Sequence, residues 1–379
     1  MTSTLQEQSI RQQKKAINRT LPAASLFSGG GGLDLGMEVA GFETQCCVDI
    51  DSCSCQSLEL NRDTGRAKKL HKFLSKAQVI PKDIREITGK DLLKDCGGEV
   101  AFLYGGPPCQ AFSVFGRRQG LKDPRGTLLW EFVRLVNETR PKAFLLENVG
   151  GLKTFGGRSV LDLLEHRLSL DGHYTITTHE YELAEFGIPQ FRRRVFLIGS
   201  RDGIIVPEMV PTHGPEPVLF GGLRPYRTAG EALRGLPEPG DNGKVPNHFG
   251  REHSQRIIDR YRSLRYGERD PKTRINKLDP KRPSFTIIVG SDAGGGKGHV
   301  HPSSPREVTP RESARMQTFP DCWEFTGGVR DIIRQVGNAV PPLFAALLGS
   351  HLKKHLFGAR SAISYDEAVE ALQLDYLRK

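Results

Sequence analysis

Cys109 lies in Tyr104-Gly105-Gly106-Pro107-Pro108-Cys109-Gln110-Ala111-Phe112-Ser113, directly after the apolar run Val100 to Tyr104. Such a run reads as a short buried strand, and Gly-Gly-Pro-Pro cannot continue it. The cysteine is therefore presented at the carboxyl end of a strand, where open α/β sheets line their ligand crevice. There it is a candidate nucleophile, while a free cysteine that merely fills space is the competing reading. A carboxylate ends a second apolar run, Ala143 to Leu146, in Glu147-Asn148-Val149. A third polar block, Gln190-Phe191-Arg192-Arg193-Arg194, leads into Val195 to Gly199. If it is extended, Gln190, Arg192 and Arg194 project to one face. Three polar heads entering a buried strand are costly without partners, which points to a site; a solvated basic strand edge is the alternative.

These residues need a scaffold, and the chain supplies one in order. Ala23 to Phe27 reads as a strand, Ser28-Gly29-Gly30-Gly31-Gly32 as a loop, and Leu33 to Val39 as a helix that stops at Gly41. Glycines allow a ligand close to the backbone, and a helix start offers free amide donors. The next strand, around Thr44 to Val48, ends in Asp49-Ile50-Asp51. An acidic residue about 20 positions past such a loop suits ribose hydroxyls. No lysine followed by Ser or Thr is present in the loop, so a nucleoside without a triphosphate fits better than a nucleotide gripped by a P-loop. Asp83-Ile84 offers a further strand-end carboxylate, although a lone acidic loop residue is more often solvated. Between Gly116 and Gly126, Arg117, Arg118, Lys122 and Arg125 suggest a mobile basic loop beside the cysteine. Helical spacing follows at Thr127 to Val136 and Leu161 to Leu170, and strand alternation at Tyr174 to Glu180. Strands alternating with helices give an α/β fold.

The chain of 379 residues has length for about two domains, and Lys and Arg exceed Asp and Glu by 54 to 44, a net charge of +10. Such a balance favours polyanionic partners, nucleic acid first. Seven cysteines form no regular framework, and no apolar run approaches the length of a membrane span. These features, with no signal peptide before Leu21, predict a cytoplasmic protein without membrane association. Cys46, Cys47, Cys53 and Cys55 lie close together but lack the spacing of paired zinc ligands, so no metal is expected. Residues 1–20 are polar and basic and predict a mobile arm. From Arg201 prolines, glycines and charge replace clear periodicity, and Arg251 to Arg282 holds eleven Lys and Arg against five Asp and Glu, interleaved with Tyr261 and Tyr266. A solvated face is the ordinary meaning of such a run; beside these other features a phosphate-tracking surface is the better reading. Helical pattern returns near Thr309, and Gln335-Val336-Gly337-Asn338-Ala339-Val340-Pro341-Pro342 opens a final apolar helix through Leu348.

Taken together, residues 23 to 349 resemble the cytosine C5 DNA methyltransferases. The matching blocks are Phe27 to Gly32, Asp49-Ile50, Asp83-Ile84, Pro108 to Ser113, Asp123 to Thr127, Glu147-Asn148-Val149, Gln190 to Arg194, Arg311 to Pro320 and Gly337-Asn338. They run in the family's usual order. The resemblance implies a Rossmann-like S-adenosylmethionine-dependent methyltransferase domain with a smaller target-recognition domain, acting on double-stranded DNA. It implies catalytic roles for Cys109, Glu147, Arg192 and Arg194, with Arg194 at the cytosine O2 and Arg192 bracing the cysteine loop. Phe27, Gly29, Gly31, Leu33, Asp49, Ile50, Asp83, Ile84, Gly106, Leu128 and Asn338 would line the cofactor. Gln110, Ser113, Arg117, Arg262 and Arg265 would meet DNA.

The expected division is an arm at 1–20, a catalytic part at 21–199, target recognition at 200–300, a return at 301–349 and a helical tail at 350–379. A monomer is expected, sharing its site with a cognate restriction endonuclease but forming no stable complex with it. The segment Asn61 to Pro81 looks longer than the family core needs. Two other readings are a transfer RNA methyltransferase on the same fold and a non-catalytic DNA-binding regulator. No Cys-Phe-Thr block of the kind that marks the first is present, and intact Cys109, Glu147 and Arg194 argue against the second.

Overall fold

The computed structural model describes residues 21–65, 73–108, 128–149, 160–169, 172–215, 222–240, 245–287, 289 and 298–378. The expected basic arm at 1–20, the cysteine block from Cys109 to Ser113 and the basic loop that follows lie outside the described residues.

Seven strands form the central sheet: β1 (Pro22–Leu26), β2 (Glu43–Asp49), β3 (Gln78–Pro81), β4 (Phe102–Gly105), β5 (Ala143–Val149), β6 (Thr175–Glu182) and β7 (Arg193–Ser200). Their order is β3-β2-β1-β4-β5-β7-β6. The first five pair in parallel, and β7 runs antiparallel to both β5 and β6. Near-continuous apolar strands are what a sheet covered on both faces demands. Along β4 the two-residue period sends Phe102 and Tyr104 to one face and Leu103 to the other.

The helices are α1 (Gly32–Val39), α2 (Ser52–Gly65), α3 (Gly89–Asp95), α4 (Leu128–Thr139), α5 (Val160–Ser169), α6 (Ala229–Leu233), α7 (Gln255–Ser263), α8 (Pro310–Met316), α9 (Val329–Asn338), α10 (Pro342–Phe357) and α11 (Tyr365–Ala371). Helices α1 and α10 cover the face that holds Phe102 and Tyr104, while α3, α4 and α5 cover the other. Leu343, Phe344, Leu348 and Leu352 of α10 are fully buried. Each contributes about 1.5–3 kcal/mol by leaving water. None of the described helices is long and apolar enough to cross a membrane.

The expected boundary at 349/350 falls inside α10, because Leu352 and Leu356 continue its apolar pattern into the same core. The last residues are core material as well. Leu372, Leu374 and Leu377 are buried in it, and the Tyr376 hydroxyl donates to the carbonyls of Arg315 and Phe319 at 3.2 Å.

Between β7 and α8, Tyr261, Leu264, Ile275 and Val300 form a small separate apolar cluster. This region is sewn to the sheet layer by backbone and by buried charge. Ser284 N donates to Pro189 O and Phe191 N to Ser284 O, both at 2.9 Å. Arg311 of α8, fully buried, donates to Pro246 O at 2.8 Å, to Pro320 O at 2.9 Å and to Trp323 O. A guanidinium with five donors can tie three chain segments where a lysine cannot.

Candidate active site

The carboxyl ends of β1, β2, β4 and β5 open into one cavity of about 390 Å³. That size suits a small-molecule ligand. Phe27, Gly29, Leu33, Asp49, Ile50, Asp83, Ile84, Gly106, Leu128 and Asn338 line it, and so do Glu147 and Arg194. Gly31 does not. It caps the start of α1 at φ +81° and faces inward, where an added Cβ would stand 2.6 Å from Leu58 and 2.9 Å from Trp323. Glycine lets the loop pass over those packed side chains.

Asp49 binds the loop that precedes α1. Its Oδ2 accepts from Gly29 N at 2.7 Å and its Oδ1 from Asp51 N at 2.8 Å. Burial raises its pKa, and these backbone donors oppose the shift. Next to it, Ile50 is 69% exposed at the cavity wall. An isoleucine so presented, with Phe27 nearby in the lining, gives a flat heterocycle an apolar surface. Asp83 caps a short turn at Ile84–Glu86 and is held by Arg85, whose Nε lies 3.0 and 3.1 Å from its two carboxylate oxygens. That partnership lowers the Asp83 pKa. Acidic groups for hydroxyls, an apolar wall and a glycine loop are the donor set an S-adenosyl group needs, so the residues present fit that cofactor.

At the other end of the cavity, Glu147 Oε1 stands 2.9 Å from Arg194 Nε, both side chains nearly buried. Burial raises the Glu147 pKa, while Arg194 and Arg192 pull it down. Gly106 makes the approach possible, since a Cβ there would meet Glu147 Oε2 at 2.7 Å. The alternation expected from Gln190, Arg192 and Arg194 is present: Gln190 and Arg192 are buried while Arg193 is exposed. Arg192 finds its partners at the carboxyl end of α9. Its Nη2 donates to Gly337 O and Ala339 O, each at 2.9 Å, on either side of Asn338. Its Nε and Nη1 have no partner among the described residues. Burial lowers its pKa well below the ordinary arginine value.

Of the remaining expected residues, Cys109, Gln110, Ser113 and Arg117 lie outside the described residues. The chain reaches Pro107 and Pro108 in the cavity wall immediately before Cys109. Arg262 and Arg265 are exposed and have acidic neighbours, Asp259 at 3.1 Å and Glu268 at 3.7 Å. Among the described residues no group of three or more His, Cys, Asp or Glu is placed to hold a metal ion.

Sequence reasoning missed three residues. Asn148 donates to Pro107 O at 3.1 Å and so pins the segment that leads to Cys109; its place directly after Glu147 was the available signal. Asp51 accepts from Arg334 of α9 at 2.8 Å, joining the acidic strand end to a helix that no local pattern connects to it. Asp34 lies beneath the loop, fully buried, between Leu33 and Leu35 in the first turn of α1.

Residues 21–354 match the C-5 cytosine-specific DNA methylase family. The chain is 34% identical over 332 residues to the Type II methyltransferase M.NgoFVII of Neisseria gonorrhoeae, covering 84% of this chain and 82% of that one. It is 32% identical over 364 residues to the Type II methyltransferase M.PspPI of a Psychrobacter species, covering 90% and 81%. A solved prophage-encoded protein from E. coli, described as a DNA modification methyltransferase, superposes with a TM-score of 0.70 at 26% identity, covering 89% of this chain and 99% of that one. The S. pombe Dnmt2 methyltransferase, at 16% identity and a TM-score of 0.59 over 88% and 99% of the two chains, shares the fold.

Proposed function

This chain belongs to the C-5 cytosine-specific DNA methylases of the restriction-modification type, and we propose that it methylates carbon 5 of a flipped-out cytosine through a covalent adduct to Cys109. The observation that carries this reading is the single cavity in which a nucleoside-type lining meets the Glu147–Arg194 pair, with Pro107 and Pro108 leading out of its wall into Cys109.

Cytosine C5 is a poor nucleophile, so electron density must be added to the ring before carbon can be alkylated there. The Cys109 thiolate bonds to C6, and the C5–C6 π electrons move into the ring toward N3. Glu147 delivers a proton to N3, which keeps the ring from carrying a full negative charge. Its raised pKa keeps that proton available to higher pH than an ordinary glutamate would. Arg194, fixed by its ion pair, faces the cytosine O2. S-adenosylmethionine, when bound along Asp49, Ile50, Asp83 and Asn338, supplies the electrophilic methyl group that C5 accepts. N3 gives its proton back to Glu147, and loss of the C5 proton to solvent then returns electrons to the C5–C6 bond and expels the cysteine as thiolate. Arg192 holds the turn that presents Asn338, and on this reading it also braces the incoming cysteine loop with its two unpartnered nitrogens.

A base inside a duplex cannot meet Cys109, so the target leaves the stack. Residues 200 to 300 read the sequence around it, and Gln110, Ser113 and Arg117 also contact the DNA. The chain acts as a monomer, and a cognate endonuclease would share its site without a stable complex.

Bisulfite sequencing of plasmid from an expressing strain tests this function directly, since it reports activity, target base and context together. Protected cytosines in one fixed duplex context are expected, lost in Cys109→Ala. Wild-type protein should also form a denaturation-resistant adduct with 5-fluorocytosine DNA, because fluorine cannot leave as the proton does. Methylation of transfer RNA alone, or activity that survives Cys109→Ala, would overturn the reading.

A further inference from the structure

Asp34 is fully buried in the first turn of α1, on the sheet face occupied by Ser25, Cys47 and Tyr104. Those three residues lie side by side across β2, β1 and β4, because Ser25 pairs in register with both Cys47 and Tyr104. Each carries a polar hydrogen into an otherwise apolar layer. Tyr104 donates its hydroxyl to Asp34 Oδ1 at 3.2 Å, and the Cys47 thiol donates to the same oxygen at 3.5 Å. The Tyr104 oxygen in turn lies 2.8 Å from the Thr44 hydroxyl. Ser25 lies beside the carboxylate and favours its ionised form; its Oγ stands 2.7 Å from Ser28 Oγ, and Ser28 lines the cavity. The second carboxylate oxygen, Oδ2, has no partner among the described residues.

A carboxylate facing donors from three strands, with one oxygen unmatched, is a poor way to fill a core, since an apolar residue of similar size would cost less. The position of the three strands explains its presence. β1 leads into the cofactor loop, β2 into Asp49, and β4 through Gly105 to Pro108 into Cys109. We propose that Asp34 is a positioning residue, whose buried carboxylate fixes the cofactor loop against the strand that delivers the nucleophile. This rests on the methyltransfer reading above, but its test does not depend on turnover alone. The titratable neighbours of Asp34 are Cys47 from β2, Tyr104 from β4 and Glu38 one turn along α1. Glu38 accepts from Thr44 N at 2.8 Å and so closes the same network.

The test uses the full chain with Asp34→Asn and, as a volume-conserving second variant, Tyr104→Phe. Binding of S-adenosylhomocysteine is measured by calorimetry from pH 5 to 8, beside kcat and KM for methylation. Loss of one charge-assisted hydrogen bond predicts weakening on the order of tenfold for Asp34→Asn above pH 7, with a smaller loss for Tyr104→Phe. The wild-type affinity should fall toward pH 5, and that fall should shrink in Asp34→Asn. Affinities equal to wild type in both variants across the range, whatever happens to melting temperature, would reduce Asp34 to an ordinary core residue and overturn the proposal. If Asp34→Asn fails to fold, Tyr104→Phe decides alone. A wild-type protein that binds S-adenosylhomocysteine but methylates no DNA would instead count against the proposed function.

Discussion

Replacing Asp34 by asparagine should make the fold more stable near neutral pH while weakening its cofactor site. Burial raises the Asp34 pKa from 3.8 to about 6, against the opposing pull of Ser25, Tyr104 and Cys47. A folded-state value above the unfolded one means that stability is fully present below the unfolded pKa and is lost as pH rises through the folded one. From 3.8 to about 6 the loss amounts to about 3 kcal/mol once the group is ionised, at about 1.4 kcal/mol per unit. Asparagine does not ionise and so escapes that cost. At pH 5 wild-type Asp34 is mostly protonated when folded, and the advantage of the variant should be smaller by about 1 kcal/mol. Glu38, raised to about 7 chiefly by burial and to a lesser degree by the charge on Asp34, adds in the same direction, since removing that charge eases its own ionisation. The assay is urea denaturation of both proteins at pH 5.0 and 7.5. A stability difference that does not change with pH would refute the reasoning, because it would mean that Asp34 is ionised in the folded protein throughout that range, as it is in the unfolded chain.

Three further outcomes follow from the site. Glu147→Gln should lower the methylation rate far more than DNA affinity, and the wild-type rate should decline as pH rises through the raised Glu147 pKa, a limb the variant lacks; equal losses in binding and rate would make Glu147 a positioning group. Arg192→Lys should orphan at least one of the carbonyls of Gly337 and Ala339, costing about 1–3 kcal/mol, and weaken S-adenosylhomocysteine binding through the displaced Asn338; an unchanged affinity in calorimetry would disconnect that turn from the cofactor. With S-adenosylhomocysteine present and salt fixed, Cys109→Ala should bind a site whose target base is mismatched or missing more tightly than the intact duplex, by about tenfold for each 1.4 kcal/mol of unstacking avoided; matched affinities would mean that flipping does not limit binding.

The strand ends were legible because parallel strands covered on both faces must be apolar throughout, so the first polar residue after each run marks where the chain leaves the sheet. Asp49 follows that rule as the last residue of β2, whereas Glu147 comes two residues before the end of β5, which stays paired to β7 through Val149; both line the cavity. The alternation through Gln190, Arg192 and Arg194 was equally legible, and it correctly demanded partners. Which partners was not legible. Arg192 reaches carbonyls 145 and 147 residues away, and neither carbonyl leaves a trace in side-chain pattern. A glycine run also does not say which member packs against Leu58 and Trp323, as Gly31 does. Asp34 escaped notice for a related reason. In an amphipathic surface helix a lone aspartate among leucines faces water, but α1 lies between the sheet and α10 and keeps no wet side at that position. The end of the core was misplaced because α10 continues through Leu352 and Leu356 past the last block of family resemblance.

The glycine loop follows β1 and Glu147 lies on β5, and these strands flank β4 in parallel pairing, so their separation is set by two ladders of backbone hydrogen bonds. Gly106 and Pro107 continue from β4 between them, held by the close approach of Glu147 and by the hydrogen bond from Asn148. A shift of that segment would therefore disturb the carboxylate and the strand leading to the cysteine together. Asp34 and Arg192 act on the same frame from below and from the side, one through Ser25 and Tyr104 and the other through the turn at Asn338. Both are charged groups taken fully out of water, at a cost in desolvation. Their common cost makes sense if a difference of about 1 Å between cofactor and base matters more to this protein than a few kcal/mol of folding free energy.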